Sequence, residues 1–439
     1  MSRTAVMMEM SSEEVPSHVT AARFLNALLA TEELGLSQPS TRSLAVNVFA
    51  LWMCSPLLEI QLKPHHCPWR FWANWQKLVH RYGHGSESRL NRDQPVLRLQ
   101  RNVFFPKHLE EGIKDSRIQE LLYEEARHNV VTGRYPLESA QAVMLGGLQA
   151  RIQLGPYDPH RHTARFFRFI PSLPSVCRAQ LVSPFPRPQQ DKYLPKHARS
   201  GRWAALLPAG RKGSPEARLL EQAQRPPAAP PRKLRHKYLA HTRTLPTYGA
   251  AFFQGQIEQP VRSLTSLLTH EDIPVLVAVN SNGVYVIDDT ESTVLLGLLY
   301  EELSWDFGIP SDDSEDCLPC LFLQFMVVEN GLRVSKILQV FSKQAIMMDT
   351  LIEHFAGEYR KRLGQETPSD HANYDYHSDS GSISLPPLSR PDSPQRRLAN
   401  KLSRLALATH DGRGNLLGGA GDWNTDLNYP RPSWILPKH

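Results

Sequence analysis

The sequence predicts an α+β chain of several domains, helical in its first half and rich in short strands in its second. Three observations predict this. Residues 116–154 carry two amphipathic helical patterns joined by a short turn, strand-like runs recur from Tyr248 to Phe341, and a last helical stripe begins at Ser342. A length of 439 residues corresponds to about three domains. Hydrophobic residues make up 41% and charged residues 21%, which is ordinary globular usage and argues against a wholly disordered chain.

The elements follow in order. Within residues 15–36, Ala21, Phe24, Leu25, Leu28 and Leu29 recur at helical spacing, and Gly35 stops the helix. Val48 to Trp52 is a β-type run, Ser55-Pro56 a turn, and Leu57 to Leu62 a second strand that Pro64 ends. Trp69, Phe71, Trp72 and Trp75 are expected in a packed core or domain seam, with an exposed stacking platform as the alternative. Val96 to Gln100 alternates again and runs into Asn102-Val103-Phe104-Phe105-Pro106. Ser116-Arg117-Ile118-Gln119 has the pattern of a capping box. Ile118, Leu121, Leu122, Ala126 and Val130 then share one helical face up to Gly133. After Tyr135-Pro136, a second helix places Ala142, Leu145, Leu148 and Ile152 together and ends at Gly155-Pro156.

Composition shifts at residue 158. The chain holds 35 prolines, about 8% against an average near 5%, and twelve of them fall between Pro171 and Pro231. Residues 158–231 are therefore expected to be basic and mostly irregular, with short helices only at Trp203–Leu207 and Glu216–Gln224. Strands resume at Tyr248–Gln256 and Val275–Val279, and Asn282-Gly283 signals a hairpin into Val284–Ile287. Further strands are expected at Ser292–Leu298, Leu303–Phe307, Leu321–Val328 and Lys336–Phe341. Seven strands are then closed by a helix capped at Ser342, with Met347, Leu351, Phe355 and Tyr359 in one stripe. After Gly364 the chain is rich in Ser, Asp and Pro and reads as disordered. Within it, Arg396 to Leu407 has the spacing of an amphipathic helix for a membrane or partner, against a transient solvated helix.

Several kinds of chemistry find no support. The 50 basic and 44 acidic residues leave +6, compatible with peripheral contact with an anionic membrane but too little to imply nucleic acid. Cys54, Cys67, Cys177, Cys317 and Cys320 are too sparse for a disulfide scaffold and point to a reducing compartment. No apolar core of signal-peptide length opens the chain. The apolar run from Leu318 to Val328 is well short of the ~20 residues of a spanning helix. Cys317-Leu318-Pro319-Cys320 has redox or zinc spacing, yet it enters a β-run rather than a helix N-terminus, and no second ligand pair follows. His65-His66-Cys67 and His160-Arg161-His162 place neighbouring side chains in opposite directions, which disfavours one shared ion. Nucleotide-binding, hydrolase, metalloprotease and kinase signatures are absent from the sequence. The carboxylates at Glu301-Glu302, Asp312-Asp313 and Glu315-Asp316 lie in turn-like stretches. The expectation is a protein that is not an enzyme, with no cofactor and no metal.

Val48 to Leu62 followed by Arg101 to Pro106 resembles the later strands of the ubiquitin-like first lobe of the FERM domain family. Leu122-Tyr123-Glu124-Glu125-Ala126, Tyr135-Pro136 and Leu145-Gly146-Gly147-Leu148 through Gly155-Pro156-Tyr157 resemble its helical second lobe. Tyr248-Gly249-Ala250-Ala251-Phe252-Phe253, Leu303-Ser304-Trp305 and the closing helix resemble its third. The resemblance implies three lobes: ubiquitin-like (15–108), helical and acyl-CoA-binding-protein-like (109–245), and a PH/PTB-like β-sandwich with a C-terminal helix (246–363). A disordered tail (364–439) would follow. Two departures leave the first two lobes incomplete. The hairpin that should precede the first helix is missing, and the proline-rich segment stands where helices should continue. The resemblance further implies a cytoplasmic adaptor, peripheral at the plasma membrane, that binds cytoplasmic tails of transmembrane proteins. The tails it implies are those of inactive rhomboids, with an effect on the surface stability of a sheddase, and that of a Wnt co-receptor. A membrane–cytoskeleton linker is the alternative. A tail would add as a strand along Leu303, Ser304, Trp305, Asp306 and Phe307, against a helix wall of Met347, Leu351 and Phe355. Core packing is the competing reading for each of these side chains.

Overall fold

A computed structural model describes residues 18–168, 192–198, 213–225, 229–259, 272–310, 317–366, 402, 405–410 and 416–418. Its first group of elements starts with α1 (Ala21–Leu29), where Thr20 accepts from the Arg23 N–H, and a turn ends at Gly35 in the left-handed region. A helix not expected from the sequence follows, α2 (Pro39–Val48), with proline in its first turn and Thr41, Ala45 and Val48 facing inward. Strands β1 (Phe49–Cys54) and β2 (Glu59–Gln61) precede α3 (Pro68–Ala73), α4 (Trp75–Tyr82), α5 (Glu87–Arg92) and β3 (Val96–Arg101). The sheet order is β2-β1-β3, antiparallel, with β1 buried along its whole length. The aromatic cluster divides. Trp75 is buried and donates to Asp93, whereas Trp72 is 53% exposed and stacks on Trp69. The missing hairpin concerns residues 1–17, outside the described residues.

The second group holds α6 (Lys107–Glu111), α7 (Ser116–Thr132) and α8 (Ser139–Leu154). The cap of α7 is Asp115 rather than Ser116. Its carboxylate accepts from the N–H groups of Arg117 and Ile118, while Gln119 donates to the Ile113 carbonyl instead of closing a box. Residues 158–231 are less irregular than expected: the helix expected at Glu216–Gln224 forms, and the other described parts pack into a core. The described parts form α9 (Ala164–Arg168) and α10 (Pro215–Gln224) ahead of α11 (Pro231–Arg243), and they bury Phe167, Tyr193, Leu194, Ala198 and Leu219 in the core shared with α7 and α8. Prolines sit at the first turns of α10 and α11, where the missing N–H costs nothing. Gly146 and Gly147 explain how α8 receives this packing. A Cβ there would lie 2.8 Å from the Tyr193 carbonyl oxygen and 2.6 Å from the Gln222 Cβ. The expected helix at Trp203–Leu207 lies outside the described residues.

The third group is the expected seven strands and one helix: β4 (Ala251–Ile257), β5 (Ile273–Val279), β6 (Gly283–Asp288), β7 (Thr293–Leu299), β8 (Ser304–Gly308), β9 (Cys320–Glu329), β10 (Leu332–Phe341) and α12 (Ala345–Glu366). One run of strands is β10-β4-β5-β6-β7 and the other β8-β9-β10, all antiparallel. Ser342, expected to cap the helix directly, accepts instead from the Gln344 N–H in the turn ahead of α12, which begins at Ala345. The buried face of the helix is Ala345, Met348, Ile352, Phe355 and Ala356, one step round from the expected stripe, so Met347, Leu351 and Tyr359 flank it half-buried. The tail is not disordered throughout. Strands β11 (Ala408–His410) and β12 (Leu416–Gly418) extend the sheet beyond β10. Most of the helix expected over 396–407 lies outside the described residues; at its described positions the Leu405 N–H donates to the Leu402 carbonyl, and Leu405–Leu407 lead into β11. No helix among the described residues is long and apolar enough to cross a membrane.

One buried carboxylate joins the three groups. Glu110 is inaccessible and accepts from Arg101 at 2.6 Å, Arg243 at 2.7 Å and the Tyr248 hydroxyl at 2.5 Å. Arg101 ends β3, Arg243 ends α11 and Tyr248 leads into β4. Burial alone would raise the Glu110 carboxyl, but the two guanidiniums and the tyrosine hold it below the usual carboxylate range. Gly249 beside it has φ +68°, and a Cβ there would lie 2.7 Å from Arg101 Nη1. A second joint links the first group to the start of α12. The backbone N–H of Lys343 donates to His84 Nε2 at 3.1 Å, and Gln344 donates to the Leu57 carbonyl.

Two measurements check these joints. Glu110→Ala leaves two buried guanidiniums uncompensated and should cost about 3–5 kcal/mol in urea unfolding of the full chain. Burial, aided by Lys343, pushes the His84 imidazole down to about 4. Because the folded value lies below the unfolded one, the unfolded state binds the proton more readily, so stability falls as pH drops from about 6.5 towards 4. His84→Gln should flatten that part of the stability profile. An unchanged slope would remove His84 from the joint.

Candidate functional site

The site is built on β8. Ser342 N–H donates to the Pro319 carbonyl and so continues the β9–β10 ladder, which assigns residues 319, 321 and 323 to the β10 side. Backbone directions alternate along a strand, so 320, 322 and 324 face β8. Their partners Gly308, Asp306 and Ser304 therefore carry the β8–β9 bonds, and the N–H groups of Trp305 and Phe307 point to the open side. Phe307 is already satisfied locally, donating to Asp306 Oδ1 at 2.8 Å. Trp305 N–H is the donor this edge offers. Within the expected edge, Ser304 and Asp306 belong to the β8–β9 ladder and do not offer their N–H groups outward. Among the described residues, β8 pairs with β9 alone.

Helix α12 supplies the wall. Trp305 Nε1 donates to Asp349 Oδ1 at 3.0 Å, tying strand to helix while the indole stays half-buried. Burial holds the Asp349 carboxyl above its ordinary range, and the charges of Glu353 and Asp306 add to this, partly offset by the Trp305 bond. Three carboxylates thus share one stretch of the edge, with Ile346 exposed beside them. Of the residues predicted for the groove, Ser304, Trp305, Asp306 and Phe307 lie on its edge and are half-exposed. Met347 and Leu351 are half-buried against the core of the sandwich. Leu303 and Phe355 are core, Phe355 lying against Tyr300 and Phe104, so they support the floor and line nothing. Sequence reasoning missed Asp349 and Glu353. The need of a half-buried indole N–H for an acceptor was the available signal, but nothing in the spacing says which acidic residue meets it.

The other candidates have local explanations. Cys320 opens β9, and burial pushes its thiol up to about 12, the opposite of an activated nucleophile, while Cys317 is exposed. His66 and His162 accept backbone N–H bonds from Lys63 and Asp158, turns of the chain on itself. No cluster of three metal-type side chains occurs among the described residues. A cleft of about 960 Å³ between the second and third groups is lined by residues such as Lys107, Glu138, Tyr285, Tyr300 and Arg362, with no histidine or cysteine.

Comparison with known proteins adds the following. The family pattern described as FERM central domain matches residues 108–253, and that described as KRIT1/FRMD8, FERM domain C-lobe matches residues 273–351. FERM domain-containing protein 8 of Mus musculus is 36% identical over 363 residues, covering 79% of this chain and 71% of that protein. The Homo sapiens protein of that name is 37% identical over 361 residues, covering 79% and 72%. Talin-2 of Mus musculus is 25% identical over 203 residues, 46% of this chain and 7% of talin. Among solved structures, the MyTH4-FERM domain of human myosin 7b in complex with a harmonin-a PDZ3 domain superposes at a TM-score of 0.46. Its identity is 14%, with 79% of this chain and 57% of that one covered.

Proposed function

Because the chain belongs to the FERM domain family, we propose that it is a non-catalytic adaptor that takes up cytoplasmic tails of membrane proteins as an added strand on β8. The observation that carries this reading is the outward Trp305 N–H beside the α12 wall. An extended tail can accept there with a backbone carbonyl, which gives affinity, while side-chain pockets give selectivity. Asp306, Asp349 and Glu353 supply that selectivity by charge, favouring a tail with a lysine or arginine beside its docked residues. Tails of inactive rhomboids are the first partners under this reading, through which the adaptor would stabilise a sheddase at the cell surface. A Wnt co-receptor tail is the second. The protein would then work in the cytoplasm, peripheral at the plasma membrane.

A fluorescent inactive-rhomboid tail peptide titrated into the full chain tests the reading. Asp349→Asn combined with Glu353→Gln should weaken binding about tenfold, or ~1.4 kcal/mol. Failure of the parent chain to bind, or equal affinity of the double variant, would contradict it.

A further inference from the structure

Strand β10 is paired along both of its sides by different parts of the chain. Along one side β10 pairs with β9 over its whole length. On the other, Phe341 pairs with Gln256 of β4, and Ser335, Lys336 and Ile337 pair with His410, Thr409 and Ala408 of β11. The alternation fixed by the Ser342–Pro319 bond sends the N–H groups of Val334 and Lys336 to β9 and those of Ser335 and Ile337 to β11. Without β11, that stretch of edge would face solvent with unpaired backbone groups.

What seals it is a short segment arriving from far along the chain. Leu405 is buried in the core of the sandwich, and Leu402 and Leu407 are half-buried against it. Lys336 Nζ reaches Thr409 Oγ1 at 3.1 Å, a contact between positions 73 residues apart, and Glu329 at 2.9 Å. The anchor is therefore one leucine, two flanking leucines and three paired residues. Seven strands and α12 already enclose the remaining core, so the segment adds to a finished sandwich.

We propose that the β10 edge is a strand-docking site distinct from β8, held in cis by Leu402 and residues 405–410 of this chain, and that an extended peptide of the same pattern takes it when the segment leaves. The pattern is a leucine seated on the sandwich followed three residues later by a strand that gives its backbone to Ser335 and Ile337. Tethering raises the local concentration of the cis segment, so it excludes a free peptide without binding tightly itself. This goes beyond the tail-binding reading, since β8 has no part in it.

Two experiments on the full chain decide the matter. In the parent, hydrogen exchange at Ser335 and Ile337 should be about tenfold faster or more than at Val334 and Lys336, because release of the segment opens only the β11 side. Equal protection of all four amides would make β11 an integral strand and overturn the proposal. Leu405→Asp with Ala408→Pro should free the edge, the first by removing the anchor and the second by removing a ladder donor. A fluorescent peptide of residues 400–412 should then bind the double variant about tenfold tighter than the parent and restore protection at Ser335 and Ile337. Equal binding to both chains, or none to a variant that keeps the parent's thermal transition, would overturn it.

Discussion

The Glu110 carboxylate is the joint on which the arrangement of the chain depends. It is shut away from water, and four side chains from separate parts of the sequence converge on it or its guanidinium partner: Arg101, Arg243, Tyr248 and, through the Arg101 backbone N–H, Glu125. A buried charge without partners would cost several kcal/mol, so the meeting of these residues contributes a large share of the fold's stability. Their meeting sets β3, α6, α11 and the start of β4 against one another. Phe104 then rests on the His354 and Phe355 rings of α12, and His84 closes on the backbone ahead of that helix. One side of α12 is thereby committed to the first group of elements. The opposite side, with Asp349 and Glu353, is left beside β8.

The third group then presents a backbone problem with two different solutions. Every unpaired N–H and C=O at a sheet edge needs water or a partner. At β10, the chain's own Ala408–His410 supplies the partner. At β8, the strand is short, Asp306 satisfies the Phe307 N–H, and charged side chains rim what remains. Short length and local charge keep an edge from pairing with copies of itself, and under the proposed function they leave it open to a chosen peptide. Under that proposal, affinity would come from main-chain bonds and discrimination from a few side chains.

Much of this was legible in the sequence. The seven strands and the closing helix announced themselves through alternation, the Asn282-Gly283 turn and Ser342. The resemblance to the FERM family, and specifically to FERM domain-containing protein 8 at Leu57–Pro64, Tyr123–Asn129 and Glu302–Asp306, agrees with the relatives found. Other features depended on contacts that spacing does not encode. Helix α2 reads as polar because Thr41 occupies one of its buried positions. Helices α10 and α11 begin at their prolines, a placement that raw proline density cannot distinguish from disruption. Which N–H groups of β8 face outward follows from its pairing partner, so Ser304 and Asp306 looked as eligible as Trp305. The β11 strand is too short, and too far from β10 in sequence, for any local pattern to reveal it.

The most direct measurement is backbone hydrogen exchange at Trp305, in the full chain, with and without a saturating inactive-rhomboid tail peptide. Strand addition on β8 predicts that the Trp305 amide slows about tenfold or more on binding, while Ser304 and Asp306, already bonded to β9, change little. A bound peptide that leaves the Trp305 amide exchanging as fast as before would contradict the account.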